Sequence, residues 1–406
     1  MFTFWREADR SARRALVAAS LGWMLDSFDV MLYALVLPPL MAELGMNASV
    51  GGQMQSLTLV ASAAGGLLFG VVADRWGRTR ALMLSVLMYS VFTAACGFAA
   101  TAVQLAVFRV FLGIGMGGEW ASGAALVSET WPDRHRGTAM AWMQSSWAIG
   151  FALATTVSWL VQSVLGLDWR VVFFVGVAPA LFTLWIRTSV EEPALWRKAR
   201  AAARVPIGQA IGGPMLGLTV ALALMNACTL FAYWGFNTWV PTYLSSSVDK
   251  GGIGLGRDTM TALVNANQVG TWFGYVTFGY VSDRIGRKRT YVGYLLLAAA
   301  LVLAYTWTRN AWALFGLGPV ASFFATGHFS GFGAVSAELY PTSVRATAQG
   351  LTYNSGRIVS AFAPWLIGSL SVTHGFPVAL SVSSLAFILA ALFWFFIPET
   401  RGRTIA

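Results

Sequence analysis

The chain reads as an all-α membrane protein: twelve transmembrane helices in two pseudo-symmetric six-helix bundles. Three observations predict this. Apolar residues make up 57% of the 406 residues and charged residues only 11%, a balance that excludes an ordinary soluble domain. Apolar stretches about as long as a bilayer-spanning helix recur from one end to the other. Two signature segments of the first half return in the second, in the same register.

Hydropathy places the spans near 14–40, 50–73, 81–101, 103–128, 139–165 and 169–188, then 214–245, 262–281, 289–308, 311–339, 346–371 and 376–397. Each is long enough to cross a hydrocarbon core about 30 Å thick at 1.5 Å per residue. Aromatic residues at 14% fit rings placed at membrane interfaces.

A formal charge of +10 raises the question of nucleic acid, and its distribution answers no. Basic residues gather before the first span (Arg6, Arg10, Arg13, Arg14) and after the second (Arg75, Arg78, Arg80). They recur after the fourth (Arg134, Arg136), sixth (Arg187, Arg197, Lys198, Arg200, Arg204), eighth (Arg284, Arg287, Lys288, Arg289), tenth (Arg345) and twelfth (Arg401, Arg403). The alternate loops hold few: Arg170, Lys250, Arg257 and Arg309. By the positive-inside rule both termini lie in the cytoplasm, with the excess charge against anionic lipid. Met1 to Arg14 is polar and basic, so no cleavable signal is expected. Cys96 and Cys228 fall inside apolar spans, leaving no disulfide framework, metal site or cofactor to expect.

The repeat organises the chain. Gly70-Val71-Val72-Ala73-Asp74-Arg75-Trp76-Gly77-Arg78 returns as Gly279-Tyr280-Val281-Ser282-Asp283-Arg284-Ile285-Gly286-Arg287. Glu129-Thr130-Trp131-Pro132, followed by Arg136, returns as Glu338-Leu339-Tyr340-Pro341, followed by Arg345. Such similarity implies parallel repeats related by an axis along the membrane normal. The expected units are an amino-terminal bundle at 1–188, a cytoplasmic linker at 189–213 and a carboxy-terminal bundle at 214–406.

Those segments resemble the signature loops of the major facilitator superfamily. Arg109-x-x-x-Gly113-x-x-x-Gly117 resembles its second signature, and Pro398-Glu399-Thr400-Arg401-Gly402 its common ending. Leu25-Asp26-Ser27-Phe28-Asp29 is similar to the Asp-Gly-Phe-Asp of the aromatic acid:proton and sialate:proton symporters, with Ser27 in the glycine's place. Gly117-Gly118-Glu119-Trp120 resembles those branches and the related metabolite:proton symporters. The resemblance implies secondary transport by a monomer in the bacterial inner membrane.

Charged groups inside spans are the functional candidates, because a charge at bilayer depth costs at least about 2.5–3.5 kcal/mol and usually faces a cavity. Asp26 and Asp29, three positions apart on one helix, share roughly one face and could carry a proton; the plainer reading has Asp26 capping a helix break. Glu119 and His328 hold the same register in the two halves, so either could carry a proton or face the cavity, unless His328 is simply packed. Arg357 lies too deep to snorkel, and its planar guanidinium suits a carboxylate. Its competing role is a salt bridge to Glu119 or an aspartate of the first span.

Tyr353, Asn354, Asn237, Gln144 and Tyr33 are candidates for further substrate contacts, with Trp142, Trp147, Tyr233, Trp234, Phe236 and Trp239 as an apolar wall. Arg109 needs a partner, for which Asp26 or Asp29 is the candidate; it is either a structural charge or a group that tunes a proton carrier. At the helix ends Asp74, Arg75, Arg78, Asp283, Arg284 and Arg287 are expected to gate, joined by Glu129 with Arg136 and Glu338 with Arg345.

The expected function is proton-coupled symport of a small organic anion, such as a monocarboxylate, an aromatic acid or sialic acid, by alternating access. A drug antiporter would want a Gly-Pro signature where Gly150-Phe151-Ala152-Leu153 stands. A sugar transporter would have less use for Arg357, and a membrane sensor would want a signalling extension. No nucleophile–base or metal constellation supports an enzyme.

Overall fold

A computed structural model describes residues 3–131, 133–192, 215–340 and 345–401; among them the regular elements are helices and no strand occurs. A short leading helix, Thr3–Glu7, precedes α1 (Arg10–Glu43), which begins where the Asp9 carboxylate accepts the Ala12 N–H at 2.6 Å. The first bundle continues with α2 (Ala48–Trp76), α3 (Arg78–Cys96), α4 (Ala102–Thr130) and α5 (Asp133–Trp159), the last prolonged by a π-helical turn, Leu160–Val164. The sixth crossing is made in two pieces, α6 (Trp169–Val175) and α7 (Ala178–Ser189). The second bundle opens with α8 (Leu216–Ser245), α9 (Arg257–Ile285) and α10 (Arg287–Trp307). Its tenth crossing is α11 (Ala311–Gly327), a 3-10 turn His328–Gly331, and α12 (Phe332–Leu339). The eleventh is α13 (Arg345–Ser360) with α14 (Phe362–His374), and the twelfth is α15 (Phe376–Phe393).

Eight of the described helices are long and apolar enough to cross a membrane unaided. The remaining crossings depart from simple hydropathy for local reasons. Pro179 and Pro364 each lack an N–H and sit just after the breaks of the sixth and eleventh crossings, whereas Pro319 lies inside α11 and the tenth crossing changes to its 3-10 turn only at His328. The eighth, α9, is continuous but buries Asn267, Gln268 and Thr271. The helix break of the plainer reading of Asp26 does not occur: α1 runs through it, and Ser27 donates to the Trp147 carbonyl at 2.8 Å.

Packing repeats with the sequence. α1 lies on α5 as α8 lies on α13, and α2 on α4 as α9 on α11. Glycine permits the second contact in both halves. A Cβ at Gly113 or Gly117 would come within 2.3 Å of the Thr58 carbonyl or 1.9 Å of that of Ser62. One at Gly270 or Gly274 would come within 1.9 Å of the Pro319 carbonyl or 2.4 Å of that of Phe323. Only a residue without a side chain lets backbones approach so closely.

Two crossed contacts join the halves, α5 with α9 and α2 with α14. At the end opposite the basic loops they close tightly. A Cβ on Gly52 would meet the Pro364 carbonyl at 2.3 Å, and the Ser49 and Ser369 hydroxyls bond at 2.7 Å. Nearby, the Trp159 indole donates to Asp258 at 2.7 Å and the Asn265 amide to the Thr156 hydroxyl at 3.2 Å.

Candidate functional site

Between the halves, at mid-depth, lies a chamber whose walls come from both. Gln144 and Trp147 of α5 and Trp23 of α1 face Tyr233 and Trp234 of α8, Tyr275 of α9, Phe329, and Tyr353 and Arg357 of α13. Its free volume is about 30 Å³, room for a water molecule. The Trp147 indole hydrogen-bonds the Tyr233 hydroxyl across the halves. Trp147 also packs against Trp23 at 4.6 Å and edge-on to Trp234 at 6.0 Å.

Arg357 is the charged group of this chamber. It is 2% exposed, and among the described residues no side chain hydrogen-bonds or ion-pairs its guanidinium. Asp26 and Glu119 act on it through space, without direct contact. Glu119 is fully buried against α1, where a Cβ on Gly22 would lie 2.5 Å from its Oε1. Neither of its carboxylate oxygens finds a hydrogen-bond partner among the described residues. Gly22 is one helical turn before Asp26, so Asp26, Glu119 and Arg357 form one electrostatic group spanning both halves.

Asp29 belongs to a different neighbourhood. Its Oδ2 accepts from the Thr93 hydroxyl of α3 at 3.1 Å, and a Cβ on Gly176 would sit 3.1 Å from its Oδ1. It therefore points into the first bundle, toward α3 and the α6–α7 junction. Arg109 lies deeper still, with 0% exposure. Its partners are neutral: the Gln55 side-chain oxygen, the Met54 carbonyl at 3.3 Å, and the Tyr33 ring 3.8 Å from its Cζ. Neither aspartate expected beside it forms an ion pair with it among the described residues. Tyr33 meanwhile donates its hydroxyl to the Gly51 carbonyl at 2.7 Å, tying α1 to α2 away from the chamber lining.

The other candidates divide similarly. Gln144 and Tyr353 line the chamber. Asn354 donates to Gly350 at 2.9 Å and sits against α2, its Oδ1 3.3 Å from where a Gly66 Cβ would be. Asn237 donates to the Tyr233 carbonyl of its own helix at 3.1 Å. His328 lies inside the second bundle, against Phe329 at 4.4 Å and Phe387 at 6.2 Å, with neither ring nitrogen bonded among the described residues.

At the basic end two charge clusters mirror each other. Arg78 pairs with Glu129 at 3.0 Å, and Arg287 with Glu338 at 3.1 Å and Asp283 at 2.6 Å. Arg75 and Arg284 are exposed. The side chains of Asp74, Arg136 and Arg345 lie outside the described residues. Two further carboxylates complete the clusters. Glu192 accepts the backbone N–H of Arg78 at 2.7 Å, and Glu399 accepts that of Arg287 at 2.8 Å and of Lys288 at 3.1 Å. Each caps a helix N-terminus behind a glycine of positive φ, Gly77 at 117° and Gly286 at 111°. Partial burial pulls the Glu399 carboxyl upward, but the backbone donors of Arg401, Arg287, Lys288 and Thr400 outweigh it and hold the group below the usual range.

The sequence reading did not assign roles to Trp23, Tyr275, Phe329 or Gln55, nor to Glu192 and Glu399 as caps. The last two had a signal: each follows the final crossing of its half and adjoins proline, in Glu192-Pro193 and Pro398-Glu399.

The family model of the Major Facilitator Superfamily matches residues 19–255 and again 222–406. The chain belongs to the major facilitator superfamily. It is a multi-pass membrane transporter and not an enzyme. It is 30% identical to the sialic acid transporter of Escherichia coli (strain K12), over 98% of each chain. It is also 30% identical to the cis,cis-muconate transport protein of Acinetobacter baylyi, over 93% of each. The fold matches the inward-open structure of the xylose transporter from E. coli with a TM-score of 0.77, at 19% identity, over 97% of this chain and 98% of that one.

Proposed function

We propose that this superfamily member is a proton-coupled symporter of small organic carboxylates that works by alternating access. The observation that carries the reading is Arg357, a buried guanidinium lining a chamber between two bundles with no acidic partner in contact among the described residues. A bare buried cation is costly, and a substrate carboxylate is the bidentate partner its geometry suits. Two relatives of similar length bear the names of carboxylate cargoes, sialic acid and muconate.

Asp26 and Glu119 are the proton carriers in this reading. Both act on Arg357 through space, so adding or removing a proton there changes how strongly the guanidinium holds an anion. Asp29, held by Thr93 inside the first bundle, is a secondary carrier in this reading. The bundles, taken as 1–188 and 214–406, rock about the chamber, and the clusters around Arg78 and Arg287, each paired within its own half, brace the basic end of each bundle through the motion. In this reading the positive-inside rule sets that end, and both termini, on the cytoplasmic side, and the bacterial relatives support an inner-membrane location.

Uptake into reconstituted vesicles tests this directly. Monocarboxylates, aromatic acids, sialic acid and sugars are offered with and without an inward proton gradient. Accumulation of a carboxylate that needs the gradient, and fails in Arg357→Ala, is the expected result. Gradient-independent uptake of a neutral sugar would sink the proposal.

A further inference from the structure

Two kinds of ring pair join the halves around the chamber. Trp142 with Trp272 and Trp147 with Tyr233 and Trp234 meet edge to face, at 76°, 66° and 89°. Trp120 of α4 and Tyr353 of α13 instead lie flat on each other, 9° from parallel and 4.3 Å between centroids. Edge-to-face contact is what aromatic cores ordinarily adopt alongside offset stacks, and it leaves no slot for a third ring. A flat stack between two bodies that can separate does leave one.

Position gives that slot a chemical meaning. Tyr353 lines the chamber and stands one helical turn before Arg357, whose Cζ is 5.9 Å from the Tyr353 ring. Trp120 directly follows Glu119. A flat ligand lying on Trp120 therefore has a guanidinium within reach of one edge. The chamber offers only about 30 Å³ in this state, so a substrate must displace side chains to enter. Exchanging the Tyr353 ring for another flat π-face replaces one stack with another. A puckered ligand breaks the stack and restores nothing.

We propose that Trp120 is a specificity-determining residue: it trades the Tyr353 ring for the flat, conjugated face of the transported acid, so planar carboxylates are selected over saturated ones of the same size. This rests on Arg357 as the carboxylate partner and adds a second requirement at the other end of the ligand. It also couples occupancy to motion, because opening the stack separates α4 of one bundle from α13 of the other.

Benzoate and cyclohexanecarboxylate test it, having the same carbon count and charge but opposite planarity. Their binding and uptake are compared in full-length protein in lipid vesicles, in the parent and in Trp120→Phe, Trp120→Leu and Trp120→Met. The parent is expected to favour benzoate by about three- to tenfold, the range a ring stack supplies. Trp120→Phe, which keeps a flat face, should keep most of that ratio, and the aliphatic variants should bring it near one. Equal affinity of the parent for the two acids overturns the proposal without any variant. So does an undiminished ratio in a folded aliphatic variant. If both acids bind in an Arg357-dependent way with that ratio unchanged, the role of Trp120 fails while the carboxylate reading stands. If neither binds and Arg357→Ala changes nothing, both fall.

Discussion

The two halves are near copies at their basic ends and opposites at their centre. Arg78 with Glu129 and Glu192 matches Arg287 with Glu338 and Glu399, down to the positive-φ glycine beneath each capping carboxylate. At mid-depth the first bundle buries Asp26, Asp29 and Glu119, whereas the second buries Arg357, His328 and neutral amides such as Asn226, Asn267 and Gln268. Among the described residues the second bundle has no buried carboxylate. A mechanical element has to work alike in both halves, so symmetry preserves it. Binding an asymmetric cargo and a proton requires unlike walls, so the centre diverges.

The sharpest test removes the centre's cation. Arg357→Ala should weaken carboxylate binding by roughly a hundredfold or more, since two charge-assisted hydrogen bonds are worth about 1.5–3 kcal/mol each. Arg357→Lys should fall between, keeping charge without the planar fork. Titration calorimetry with the acid and its amide checks both, and an amide that binds the parent equally well would contradict the assignment.

The acidic wall comes next. Asp26→Asn or Glu119→Gln should abolish accumulation against a gradient while leaving exchange between equilibrated compartments. Full accumulation in both single variants and the double variant would remove these residues as carriers. Asp29→Asn, set against Thr93 and away from Arg357, should do less harm.

The mirrored ends should respond alike. Gly77→Ala and Gly286→Ala each force a Cβ to within 2.2 Å of Glu192 or 2.7 Å of Glu399, at a φ that favours glycine. Each should lower stability by about 1–3 kcal/mol. A thermal-shift measurement showing loss in only one half would break the equivalence of the two clusters.

The smallest effect concerns Glu399. Its carboxyl is held below the ordinary value of 4.5, so its contribution is fully present above that pH and is lost as pH falls through the depressed value. Glu399→Gln should cost at most about 1–2 °C in Tm near neutrality, because the site is mostly solvated. The difference from the parent should shrink in acid. A gap that widens below pH 4.5 would contradict the sign.

Much of this was legible in the sequence, and the limits have physical causes. Hydropathy and the doubled Asp-Arg-x-Gly-Arg segment read out the spans and the repeat because both are local in the chain. The broken tenth and eleventh crossings escaped, since an apolar run has the same hydropathy whether it folds as one helix or two, and a proline in it removes an N–H without changing that value. Burial of Arg109 was readable from its depth, but not its partners. Charge reasoning pointed to an aspartate, and a neutral amide with an aromatic face leaves no charge pattern to find. Asp26 and Asp29 looked like twins by spacing. Their different surroundings come from α3 on one side and α13 on the other, which no window on the first span contains. The Trp120–Tyr353 stack joins residues 233 positions apart and could only be seen in three dimensions.

The closure opposite the basic loops has one more consequence. Among the described residues the contacts that hold the halves together there are glycine against carbonyl, hydroxyl against hydroxyl, indole against carboxylate and amide against hydroxyl, and none of these pairs two opposite charges. Dissolved salt shortens electrostatic reach to about 8 Å at physiological strength but leaves van der Waals and neutral hydrogen-bonded contacts nearly untouched. The arginine clusters at the other end feel that screening. Each of those clusters lies within one half, so a change in the surrounding electrolyte softens the bundles' own basic ends while the seam between them stays nearly as tight.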